Sequence, residues 1–111
     1  MFRVGQGLLG RVAFRDGGIP EYDRPYLIVY VSDTEIGLLN VSSVAGKESK
    51  LLYPTNRNIV KYNPPFRKSS FVKLDSLTYI TYVEASAMRV LSGGLALDQH
   101  ELNSIVASVS F

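Results

Sequence analysis

Residues 24–41 read RPYLIVYVSDTEIGLLNV, and this stretch decides the class of the fold. Tyr26-Leu27-Ile28-Val29-Tyr30-Val31 is an almost continuous run of β-branched and aromatic residues, too short for a typical helix and suited to a central strand. Ser32-Asp33-Thr34-Glu35 then makes a short polar turn, and Ile36 to Val41 resumes the apolar run. The pattern predicts a β-hairpin. Working outward, Leu8, Val12 and Phe14 predict a strand over 8–14, which gives way to a turn-rich loop containing Gly17, Gly18 and Pro20. On the other side, 44–56 reads as a long loop with Gly46 and Pro54, and Ile59 to Tyr62 as a short strand. Asn63-Pro64-Pro65 must interrupt any ladder, because proline has no amide donor. Further strands are expected over 70–74 and 79–83. After Ser92-Gly93-Gly94 the period changes, with Leu102, Ile105, Val106 and Val109 at i, i+3, i+4 and i+7 of an amphipathic helix. Asp98 stands as its N-cap with Glu101 at the third helical position, and Leu97 and Leu102 form a hydrophobic staple. The expectation is a mainly β fold with a C-terminal α-helix: five or six strands in a small, strongly bent barrel, with residues 1–111 as a single domain.

Composition narrows the chemistry. With 111 residues, 46% hydrophobic and 20% charged, the chain has the make-up of an ordinary globular domain. No apolar run approaches the roughly 20 residues of a membrane span, and the start lacks the apolar core of a signal peptide, so a soluble, cytoplasmic protein with no membrane partner is expected. Cysteine is absent and His100 is the single histidine. Thiol nucleophiles, thiolate metal sites, a two-histidine ribonuclease mechanism and the usual zinc ligand sets are thereby excluded; no metal and no cofactor is expected. The glycines follow neither the P-loop nor the dinucleotide-binding spacing. The net charge of +2 is unevenly spread: residues 47–73 hold seven basic residues against Glu48 alone, a local +6, and the remainder carries −4. Such a stretch suits a polyanion, although lysines also keep loops and edge strands soluble.

Two groups of residues carry candidate chemistry. The loop from Gly17 to Asp23 delivers Arg24-Pro25 to the start of the central strand, where a guanidinium is well placed for bidentate phosphate binding. The structural alternative pairs Arg24 with Asp23 or Glu21 at the rim. Tyr22 in the same loop reads as exposed. Tyr53, Tyr62 and Phe66 interleave with Arg57, Lys61, Arg67 and Lys68, a mixture that can stack unpaired bases and hold a backbone, or of which half the aromatics face the core.

The order of these features resembles the PemK/MazF family of growth-inhibiting toxins over nearly the whole chain. Gly5 to Phe14 is similar to the family's opening Gly-Asp and strand, with Gln6 at the acidic position. The most specific match is the glycine-bearing loop followed by Arg24-Pro25-Tyr26-Leu27-Ile28-Val29. Leu38-Leu39-Asn40-Val41-Ser42 resembles a following strand that ends in Ser or Thr, Ser70 to Leu77 a later Ser-x-hydrophobic segment, and Gly94 to Val109 the closing leucine-rich helix. Ser76-Leu77-Thr78-Tyr79 stands where many members have Gln-Ile-Arg-Thr, without the basic residue. The resemblance implies an SH3-like barrel that forms a homodimer, cleaves single-stranded RNA without a metal, and is neutralised by a cognate antitoxin. It implies Arg24 and Ser42 as catalytic residues: Arg24 holding the phosphate as charge builds, and Ser42, with Ser43, bonding the phosphate or positioning the 2′-hydroxyl. Tyr22, Ser43, Arg57, Lys61, Arg67 and Lys68 are the candidate RNA contacts. The competing readings are a non-catalytic SH3-like module that binds nucleic acid or a protein, and an inactive relative that acts as a regulator.

Overall fold

The computed structural model describes residues 1–13 and 16–111. The hairpin of 24–41 is its centre. Strand β2 (Arg24–Val31) pairs antiparallel with β3 (Glu35–Ser43), Tyr26 opposite Asn40 and Ile28 opposite Leu38, with a bulge between Ile28 and Tyr30. The turn is closed by the Ser32 hydroxyl, which accepts from the Thr34 and Glu35 amides at 3.3 and 3.0 Å. Alternation sends the side chains of the hairpin to two cores. Leu27, Val29, Leu39 and Val41 pack with Ile59, Phe66, Val72, Leu97, Leu102 and Ile105, whereas Tyr26, Ile28, Ile36 and Leu38 pack with Leu8, Ile80 and Ala85. Both faces are therefore covered, which explains why the run has so little polar relief.

Around the hairpin lie β1 (Gly7–Gly10), β4 (Asn56–Ile59), β5 (Ser70–Lys73), β6 (Thr78–Thr81) and β7 (Arg89–Val90). The seven strands make an antiparallel open sheet in the order β4-β5-β3-β2-β1-β7, with β6 also paired to β3. One edge of β3 serves two neighbours: 35–38 pairs with β6, and 41–43 pairs with β5. At the changeover, Asn40 donates its amide to the Ser76 hydroxyl at 2.8 Å, and that hydroxyl donates to the Lys73 carbonyl at 2.6 Å. The turn between β5 and β6 thus fills a gap where β3 would otherwise hold an unmet backbone donor. Helix α1 (Tyr82–Ser86) follows β6, and α2 (Gln99–Ala107) lays Leu102 and Ile105 on the first core. No described helix is long and apolar enough to cross a membrane.

The mainly β class, the hairpin, β5 and the C-terminal helix match the sequence expectation; Asp98 caps α2 by accepting from the Glu101 amide at 3.1 Å. The strands among the described residues number seven rather than five or six, and several boundaries differ. Among the described residues of 8–14, pairing stops at Gly10, after which Arg11 bonds Asp23 and the Val12 amide bonds the Tyr26 hydroxyl; Phe14 lies outside the described residues. The strand expected over 59–62 lies at 56–59, because Asn56 through Ile59 pair with Lys73 through Ser70 while the Lys61 amide turns away to the Glu101 carboxylate. The strand expected over 79–83 ends at Thr81, where Thr81 and Glu84 form a reciprocal capping box that starts α1. The closing helix is shorter than 94–109: residues 91–94 make a 3₁₀ turn with positive φ at Ser92, Gly93 and Gly94, and Ser108 caps the end.

Candidate functional site

One face of the β2-β3-β5-β4 part of the sheet forms the floor of a polar cleft of about 300 Å³. Its residues follow from strand parity. Continuing the register of Tyr26 with Asn40 sets Arg24 across from Ser42; Phe71 is opposite Ser42 on β5, and Asn56 is opposite Lys73. Side chains directly opposite each other, or two apart on one strand, share a face. Arg24, Ser42, Phe71, Lys73 and Asn56 accordingly line the cleft together. Lys47, Lys50, Tyr53 and Thr55, from the segment that runs from β3 to β4 through a 3₁₀ turn at Glu48–Leu52, form a canopy, and Asp75 stands at the end of β5.

The cleft is cationic and largely uncompensated. Arg24 makes no ion pair among the described residues, since Asp23, its neighbour in the chain, is taken by Arg11 at 3.3 Å. The guanidinium instead lies 4.8 Å from the Tyr22 ring centroid and donates from Nη2 to the Tyr22 hydroxyl at 3.3 Å; its Nε is buried without an acceptor. Lys50 sits 5.6 Å over the Tyr53 ring. Burial lowers the pKa of the Lys73 ammonium from its ordinary range, and the charges of Arg24, Lys47 and Lys50 lower it further, with Asp75 opposing. An array of fixed positive charge, a hydroxyl and an amide on one face suits a phosphate with a sugar beside it.

The residues expected at an RNA surface are divided among several places. Arg24, Ser42 and Tyr22 meet as described. Ser43 is one residue out of phase with Ser42 and lines a separate groove of about 760 Å³, together with Pro25, Phe66, Arg67 and Lys68. Arg57 is opposite Val72, on the face away from the cleft, and its Nε is buried without a partner. Lys61 lies beside Asp98, at 3.9 Å, in a third hollow with Tyr62 and Pro64. Of the three interleaved aromatics, Phe66 is core, Tyr62 packs against the core, and Tyr53 is exposed in the cleft. His100 is exposed on α2 and does not line the cleft. Lys47, Lys50 and Lys73 contribute to the +6 stretch, but charge alone does not single them out. The parity signal does so for Lys73, two residues beyond Phe71 and in phase with it. In comparison with known proteins, the chain matches no family model and no curated protein sequence.

Proposed function

We propose that the protein is a metal-independent endoribonuclease that cleaves single-stranded RNA in the cleft of Arg24 and Ser42, with the SH3-like barrel and the growth-inhibiting role of the PemK/MazF toxins. The observation that carries this reading is the meeting of Arg24, unpaired with any described carboxylate, and Ser42 on one floor beneath Lys47 and Lys50. In the reaction, the ribose 2′-oxygen attacks the neighbouring phosphorus. Arg24 supplies a fixed charge and a planar pair of donors to the phosphate oxygens as charge accumulates on them, and Ser42 holds the phosphate or the hydroxyl in line. Tyr22 fixes the guanidinium from the side. Tyr53 offers a ring on which an unpaired base can stack.

The same reading brings a homodimer, a cytoplasmic setting and a cognate acidic antitoxin that competes with RNA for the cationic surface. The test is incubation of purified protein with a mixed-sequence transcript and the matching single-stranded DNA, both in excess chelator. The reading expects RNA cut to 2′,3′-cyclic phosphate ends and DNA left intact. Cleavage of both, loss of cleavage in chelator, or RNA binding with no cleavage rejects it; the last result leaves the non-catalytic module.

A further inference from the structure

We propose that Lys73 is the general base of this cleavage, its amine taking the proton from the attacking ribose 2′-hydroxyl. The inference rests on the reading of the cleft as an RNA-cleaving site and names the proton acceptor which that reading lacks. Arg24 cannot serve, because a guanidinium stays protonated at any working pH. Ser42 offers only a neutral hydroxyl. The single imidazole, His100, is on α2 and outside the cleft. Lys47, Lys50 and Tyr53 are exposed, as is Asp75 past the end of β5, whereas Lys73 is half-buried in the floor.

Its backbone is held firmly for such a task. Lys73 ends β5 in the ladder with Asn56, its carbonyl accepts from both the amide and the hydroxyl of Ser76, and the next amide, of Leu74, donates to Thr55 at 2.7 Å. The side chain shares the floor with Arg24 and Ser42, so the ribose beside a phosphate held on Arg24 would lie in the same cleft as the Lys73 amine. The charged and titratable groups around it are Arg24 from β2, Lys47, Lys50 and Tyr53 from the canopy, and Asp75 beyond β5; β3 and β4 contribute the uncharged Ser42 and Asn56. Burial and the surrounding cations lower the Lys73 pKa, against Asp75, and so raise the share of the neutral amine that a base requires.

The step balances without another reactant. The 2′-hydroxyl proton passes to Lys73 Nζ, the 2′-oxygen forms a bond to phosphorus, and the bond from phosphorus to the 5′-oxygen breaks. The leaving 5′-oxygen takes a proton from water, and the Lys73 ammonium returns its proton to the hydroxide so formed. The products are a 2′,3′-cyclic phosphate and a 5′-hydroxyl.

The experiment compares wild type, Lys73→Arg and Lys73→Met on an oligoribonucleotide spanning a mapped cut, and on its 2′-O-methyl analogue, which binds but cannot react. Lys73→Arg should bind the analogue within about threefold of wild type yet cleave on the order of 10²- to 10⁴-fold more slowly, without the acid limb of the wild-type pH–rate profile. Lys47→Ser/Lys50→Ser keeps Lys73 and alters only exposed side chains, so it reports even if the Lys73 variants fail to fold. Removing two cations that favour the neutral amine should move the acid limb to higher pH. Cleavage by Lys73→Arg within about threefold of wild type, or an acid limb unmoved in the double variant, overturns Lys73 as the base while leaving the cleavage reading intact. A wild type that binds the oligonucleotide and does not cut it overturns the cleavage reading and Lys73 with it.

Discussion

Replacing Lys50 by serine should change how RNA binding responds to salt, and replacing Lys61 by serine should not. Lys50 is in the canopy of the cleft, whereas Lys61 lies in a separate hollow beside Asp98. A single strand loses about 0.7 of a counterion for each phosphate neutralised. Arg24, Lys47 and Lys50 are the charges counted, with Lys73 left out because it is assigned to the ribose 2′-hydroxyl rather than to a phosphate oxygen. Three phosphate contacts correspond to a slope of about −2.1 in log K against log salt, or about 20-fold weaker binding between 50 and 200 mM salt. Without Lys50 the slope becomes about −1.4, and the same change in salt costs about sevenfold. The assay is fluorescence anisotropy with a 2′-O-methyl oligonucleotide at several salt concentrations, so that cleavage does not interfere. Among the described residues the Lys50 side chain contacts only the Tyr53 ring and is exposed, and its backbone bonds to Lys47, Tyr53 and Asn56 do not depend on the side chain, so the variant's melting temperature should match wild type within a degree or two. Equal loss of slope in Lys61→Ser and Lys50→Ser, or an unchanged slope in Lys50→Ser, would refute the assignment of the strand to this cleft.

Two further predictions concern the frame that holds the cleft. Glu101→Ala should cost about 1–3 kcal/mol in urea unfolding, because the buried carboxylate accepts the Lys61 amide at 2.6 Å and ties the segment after β4 to α2; a loss below about half a kcal/mol would contradict this role. Gly37→Ala should cost about 1–3 kcal/mol by overpacking, since an added Cβ would stand 2.9 Å from the Tyr30 Cβ and 3.3 Å from a Tyr79 ring carbon, and urea midpoints compared at constant slope check it.

The hairpin was legible in the sequence because the run from Tyr26 to Val41 supplies two cores at once, and a doubly covered strand has a local signature. The end of β6 was written just as locally, as the Thr81 and Glu84 of a capping box, but the β-branched and aromatic run through Val83 concealed it. Strand β7 has only two residues and takes its place from Leu8 and Leu9 across the ladder, which no local pattern records. In the candidate site, Arg24 was legible from the loop and proline that frame it. Charge counted along the chain is blind to strand parity, and so Arg57 and Lys73 look equivalent until the register sets them on opposite faces. The canopy lysines depend on the 44–55 segment folding back over β5, a tertiary event with no sequence period.

The central claim is that Arg24 stabilises charge on the phosphate during RNA cleavage, and the most direct test is the single-turnover cleavage rate of Arg24→Ala and Arg24→Lys in excess chelator, with folding checked by thermal melting. Loss of one such donor lowers the rate on the order of 10²- to 10³-fold in comparable sites. Arg24→Lys should also be impaired, because an ammonium cannot reproduce the planar pair of donors. A folded Arg24→Ala protein that cuts RNA at the wild-type rate would contradict the account.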